Sequence, residues 1–306
     1  MTGAAALRET PAAGLLARLS LGFGFEAAES WGERATYHVL ELFLLQYAVR
    51  WAWDWAAVIG TLTRIVEPRG LARDIDLGGL VGGASALVIA ALISACALAL
   101  ACGRSRAVAA SSLVVLLHVQ YVLRHSLGKV THGSQFVGVG LVMLAVSALA
   151  MPSSRSRRRL ALVGTRLFIG AGYVCAGLMK LASTGPSWVD GRHLALWISE
   201  TGIDWLSRAG HIELNALQRS CLDHPALATA LLGLGLFAEL SGFLLWFRAT
   251  RAGAAVALIG LHLGIWATLG IRFDSFIGLL VIIGLPLPWF FDRLHARWHR
   301  AGSRNV

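Results

Sequence analysis

Apolar residues in this chain fill continuous blocks, and most of the charge sits in the gaps between them. No Asp, Glu, Lys or Arg occurs between Asp76 and Arg104, or between Arg251 and Arg272. A third such block lies between Lys129 and Arg155 and is broken only by His132. Further apolar stretches cover 37–59, 107–123, 160–181, 226–247 and 275–291. Each is long enough, or nearly so, for a helix crossing a bilayer, and together they predict about eight spans. The expected fold is all-α: a polytopic transmembrane helix bundle spanning 35–292, with an N-terminal segment (1–34) before it and a basic tail (293–306) after it.

One connection is longer than the others. Residues 182–225 place Trp188, Trp197 and Trp205 at spacings near eight or nine among leucines and isoleucines. That pattern predicts an amphipathic helix lying on a membrane face. Long structured loops often carry function, so this face is where a substrate is expected to approach.

Composition agrees with the pattern. The 306 residues are 56% hydrophobic and 14% charged, against about 25% charged in soluble domains; mean hydropathy is +0.65. The net charge of +10 suits lipid headgroups and topology in such a chain and does not indicate nucleic acid. With both termini cytoplasmic, fifteen basic residues fall on the inner side against nine outside, and the SSRSRRR cluster and the C-terminal tail are both inside. The first thirty residues carry Glu9, Glu26 and Glu29, which suits an interfacial or cytoplasmic helix better than a cleavable signal peptide. Four scattered cysteines form neither a disulfide framework nor a metal-ligand spacing. No GxSxG, phosphate-binding glycine loop or zinc motif is present, which excludes the common soluble-enzyme classes.

Ionisable residues inside spans are costly, about 2.5–3.5 kcal/mol each on insertion scales, so each needs a reason. Arg50 and Asp54 stand one helical turn apart and can neutralise each other. Arg124, His125 and Lys129 lie near a span end, where snorkelling accounts for them, and Arg166 is expected to snorkel to the inner face. His118 and His262 fit either hydrogen bonds within the bundle or function. Lys180 and Glu239 need more. Tyr173, Ala176, Gly177 and Lys180 share one helix face at i, i+3, i+4, i+7, with small residues that admit a flat ligand or a neighbouring helix. A lysine losing hydration there becomes a candidate proton acceptor. Glu239 lies far from either predicted end of its span and needs a partner from another helix; Lys180, His132 and His262 are the candidates.

These stretches resemble a known family. YVCAGLMKL…SWVDGRHL is similar to a motif of the vitamin K-dependent gamma-carboxylases and the related horizontally transferred transmembrane (HTTM) proteins. The pattern is Tyr, two residues, Ala-Gly, two residues, Lys-Leu, a gap, Trp, two residues and Gly. Tyr173, Ala176, Gly177, Lys180, Leu181, Trp188 and Gly191 fill it, with Asp190 before the last glycine. FAELSGFLLWF resembles a second family segment, with Glu239 in the acidic place, and the next span carries His262 where the carboxylases also have a histidine. HSLGKVTHGSQFVG resembles a third, in which His132 takes the histidine's place and Thr131 stands for an Asn.

The resemblance implies a lysine base, Lys180, that deprotonates reduced vitamin K or menaquinone, with oxygen and carbon dioxide as co-substrates and His132 assisting at the carboxylation step. It implies a lipid-soluble quinone near Tyr173, Ala176, Gly177, Trp188, Asp190, Gly191, Glu239 and His262, and chemistry on the outer face. The Ala, Arg and Gly content suits a high-GC bacterium and its plasma membrane, where menaquinone is the available quinone. The sequence ends at Val306 without the large lumenal portion that binds propeptide in the carboxylases, so a short bacterial member is expected. Three readings stay open: a quinone-using carboxylase or epoxidase; a non-catalytic membrane factor in secreted-peptide maturation or immunity; and a transporter, for which no internal repeat is found.

Overall fold

A computed structural model describes residues 29–65, 67–126 and 133–302 of the chain. His132, Thr131 and Lys129 lie outside the described residues, as does most of the segment expected over 1–34. Among the described residues every regular element is helical: α1 (Trp31–Ile59), α2 (Gly83–Ala101), α3 (Arg106–His125), α4 (Gln135–Ala150), α5 (Ser154–Thr184), α6 (Gly191–Ala209), α7 (Ala216–Asp223), α8 (Pro225–Leu240), α9 (Arg251–Leu269), α10 (Asp274–Gly284) and α11 (Leu287–Gly302). Short 3-10 segments follow α5 (Gly185–Val189) and α8 (Ser241–Trp246).

Local chemistry sets the helix ends. Ser30 and Glu33 form a capping box at the start of α1, with Glu33 N donating to Ser30 Oγ (3.1 Å) and Ser30 N to Glu33 Oε2 (3.2 Å). Asn215 and Gln218 repeat it on α7. Pro225 opens α8, where its missing N–H costs nothing. Gly210 and Gly270 close α6 and α9 in the left-handed region, at φ 76° and 68°.

Each of the eight apolar blocks of the sequence holds a helix, but they do not span equally. Among the described residues five helices are long and apolar enough to cross a membrane: α2, α3, α5 with its 3-10 extension, α8 with its extension, and α9. The block at 275–291 is not one straight span. Its two helices, α10 and α11, are bent by 63° at the break. Pro286 lacks an N–H and forces its predecessor out of the helical region; Leu285 is extended at ψ 160°. Counted as one broken span, the pair makes six. α4 has only 16 residues. α1 has 29 but carries Glu33, Arg34, Glu41, Arg50 and Asp54.

α1 is central nonetheless. Leu40, Leu44, Ala48, Ala52 and Ala56 form an i, i+4 stripe that is almost wholly buried, and α1 packs on α2, α3, α4, α5, α10 and α11. Its charges are handled one by one. Arg50 and Asp54 pair at 3.6 Å on the exposed side, as their spacing predicts. Glu41 is buried and accepts from Tyr37 Oη (2.9 Å) and from Arg106 of α3. Arg166 does not snorkel: its Nε donates to Ile283 O (3.0 Å), a last-turn carbonyl of α10 that has no partner along its own helix.

The helices alternate in direction, so the bundle has two chemically distinct ends. At one, Arg158 binds Glu29, Arg106 binds Glu41, and Gly32 N donates to Asp292 Oδ1 (2.7 Å). α11 runs along α1 at this end through the break at 292 that the sequence suggests, with Trp31 stacked on His295 at 4.7 Å. At the other end, α6, α7 and the start of α8 build a small second core from Leu194, Ile198, Cys221, Ala228 and Leu232. The long connection is therefore a folded cap of two helices, and α6 still exposes Leu196, Ile203, Trp205 and Leu206 as an amphipathic helix should.

Candidate intramembrane acid–base site

α5 and α8 end side by side beneath this cap. Lys180 lies in the last turns of α5 and Glu239 at the end of α8. The Lys180 ammonium donates to both carboxylate oxygens of Glu239. This resolves the partner of Glu239 left open by the sequence. Glu239 is 7% exposed, while the Lys180 side chain keeps 30% of its surface open. The Trp188 ring, on the 3-10 turn after α5, covers the ammonium at 4.8 Å from the ring centroid. The ammonium thus meets its counter-charge and an aromatic face at one point, and both attract it.

Two turns below Lys180, Tyr173 faces His262 of α9, with 2.6 Å between Oη and Nε2. Both residues are buried. Phe136 packs against Tyr173 at 4.9 Å, while Phe273 and Phe276 pack against His262 at 5.0 and 5.3 Å. His262 Nδ1 is buried without a hydrogen-bond partner. The two pairs are close enough to interact electrostatically, Glu239 with Tyr173 and Lys180 with His262. Four proton-exchanging groups from three helices therefore share one region, which is able to take up, pass or release a proton.

The remaining residues of the motif divide into packing and capping roles. Gly177 is buried against α8: a Cβ there would lie 2.9 Å from Leu240 Cδ2 and 3.4 Å from Glu239 Cβ. Of the two occupants a small residue admits, the neighbouring helix is the one found. Ala176 is exposed on the flank of α5, beside Leu178 and Met179, which are also exposed. Asp190 caps α6, accepting from Arg192 N (3.0 Å) and from the Arg192 guanidinium. That guanidinium and the backbone bond hold the Asp190 carboxyl down at about 2. Gly191 N donates to Thr229 Oγ1 (2.9 Å), and a Cβ at Gly191 would stand 2.2 Å from Pro225 O. It is a point of close backbone approach between the cap and α8.

The aromatic walls Phe136, Phe273 and Phe276, and the Arg106 partner of Glu41, were not singled out from sequence. Nothing local marks them: phenylalanines are common in spans, and Arg106 is 65 positions from Glu41. Comparison of the chain with protein-family models, with curated proteins and with solved structures returned no match.

Proposed function

We propose that this helical membrane protein is a vitamin K-dependent gamma-carboxylase-like enzyme, in which Lys180 accepts a proton from a reduced naphthoquinone at the outer face of a bacterial plasma membrane, with both termini in the cytoplasm. The observation that carries the reading is the convergence of Lys180, Glu239, Tyr173, His262 and Trp188. They come from three stretches of sequence, with Tyr173, Lys180 and Trp188 in the first, and each is a residue the family resemblance singles out. The arginine-rich end of the bundle, opposite the cap, supports the orientation.

The residues fit a lipid-soluble ring on one side only. Leu240 closes the Gly177 side. The Ala176 flank is open, so Ala176 and Trp188 would hold the ring where it reaches Lys180 from the bilayer. A reduced naphthoquinone would supply, with oxygen, the strong base that carboxylation by carbon dioxide needs. The Lys180 ammonium donates both of its observed contacts to Glu239, so it takes up a proton only after giving one up, and that carboxylate is the acceptor at hand. Once Glu239 has released that proton to solvent, its carboxylate balances the charge that Lys180 gains from the substrate. The free His262 Nδ1 offers a further hydrogen-bonding position in the same region. A secreted peptide or protein would approach over the cap.

A second reading is favoured by one observation. Lys180 is already satisfied by Glu239 and covered by Trp188, as a purely structural ion pair would be in a non-catalytic membrane factor of peptide maturation or immunity. Purified protein in nanodiscs, given reduced vitamin K or menaquinone, oxygen and labelled bicarbonate, separates the two. Epoxide formation that disappears in Lys180→Ala supports the enzyme. Well-folded protein that forms no epoxide from either quinone supports the structural factor.

A further inference from the structure

α4 has two working faces. One turns Phe136 to Tyr173 and Met143 to Gly164 of α5. The opposite face borders a slot of about 200 Å³ between α1, α3 and α4. Trp51 and Trp55 of α1 and His118 and Tyr121 of α3 form its aromatic walls, and Gly138 and Val142 line it on α4. The two indoles are parallel, 5.7 Å apart with 4° between their planes. His118 and Tyr121 are nearly parallel too, at 17°. Such walls suit a flat ring better than a flexible chain. A Cβ on Gly138 would meet nothing within 4 Å. His118 and Val142 are exposed, so the mouth opens on the flank of the bundle.

His118, Tyr121, Ser134 and Gln135 bring polar groups to this lining, and one of them is informative. Ser134 borders the slot and is 7% exposed, yet its Oγ has no hydrogen-bond partner. Buried hydroxyls are nearly always bonded, and an orphan in apolar surroundings is costly. A carbonyl on a ring seated between the aromatic walls would accept from it.

We propose that this slot binds an uncharged, lipid-soluble molecule that carries a flat ring and a carbonyl acceptor, with the carbonyl on Ser134. The ligand enters sideways from the bilayer. The site is separated from Lys180 by α4 and does not rest on the catalytic reading.

The test is equilibrium binding of labelled 1-acetonaphthone, a redox-inert naphthyl ketone, to the full chain in nanodiscs, measured above empty discs. Saturable binding is expected, with loss in Gly138→Leu, which fills the slot. Ser134→Ala should weaken it about three- to tenfold, the effect of one hydrogen bond, and 1-ethylnaphthalene, which lacks the carbonyl, should compete about as much more weakly. Arg192→Ala, at the exposed cap on the far side of the bundle, should bind as the natural chain does. If Gly138→Leu does not fold, Val142→Trp closes the same mouth. Absence of saturable binding, or its survival in a folded slot-filling variant, overturns the proposal. So does equal competition by methyl decanoate, which would make the slot an acyl-chain site, or loss of binding in the folded Lys180→Met, Glu239→Gln double variant, which would place the ligand at the Lys180 site instead.

Discussion

Lys180 and Glu239, 59 residues apart in sequence, meet as a donor and a two-oxygen acceptor where α5 and α8 end together. The two partners are unequally buried. Glu239 is buried, whereas the partly open lysine can turn its amine toward a membrane surface.

That asymmetry predicts unequal costs. Lys180→Met leaves a buried carboxylate alone and should destabilise the protein by about 3–5 kcal/mol. Glu239→Gln should cost less, because the freed lysine snorkels. The Lys180→Met, Glu239→Gln double variant should recover most of the loss. Thermal unfolding of the purified variants in detergent tests the order, and equal losses in the two single variants would argue against it.

Tyr173 and His262 lock α5 to α9 through one short hydrogen bond. Tyr173→Phe leaves His262 with neither ring nitrogen bonded and should cost about 1–3 kcal/mol. His262→Phe in the same background should add little, since the bond is already lost. A double-mutant cycle measures the coupling.

Gly191 and Gly177 both sit at close approaches, but against different neighbours. A methyl at Gly191 runs into the Pro225 carbonyl, which is backbone and cannot rotate away. At Gly177 it meets the Leu240 side chain, which can. Gly191→Ala should therefore loosen the cap, with a loss at or above the about 1–3 kcal/mol typical of overpacking, and Gly177→Ala should fall below it. Protease sensitivity of the 205–215 segment reports the first effect.

The Asp190 cap has a pH signature. Its folded pKa of about 2 lies below the ordinary 3.8, so its contribution is complete above the ordinary value and is lost as pH falls through about 2. Arg192→Ala removes the main cause and moves that loss upward toward 3.8. Amide exchange in the first turn of α6, followed between pH 5 and 2, should show earlier fraying in the variant; identical profiles would mean that Arg192 does not hold the cap.

Orientation is accessible through the native cysteines. Cys102 is exposed at the arginine-rich end, between α2 and α3, and Ser187 is exposed beneath the cap. With the other cysteines replaced, an impermeant maleimide should label Cys102 only in inside-out vesicles and Ser187→Cys only in right-side-out ones. The reverse pattern would place the Lys180 site on the cytoplasmic face.

The sequence by itself determined the class of fold. Long apolar blocks without strand alternation satisfy their backbone in lipid as helices, and all eight hold helix. Periodicity also determined what lies within one helix: the Arg50–Asp54 pair, the shared face of Tyr173, Gly177 and Lys180, and the amphipathic α6. Only the tertiary structure decided the rest. Pro286 marked a helix breaker, but the 63° bend and the return of α11 along α1 depend on how α11 packs. Glu239 could have met several partners, and Glu41 gave no hint of Arg106, because pairing across helices depends on rotation and depth that local patterns do not encode. For the same reason the Gly177 face, open on paper to a ring or a helix, is filled by Leu240, while an aromatic-walled slot opens on the other side of α4, against Trp51 and Trp55.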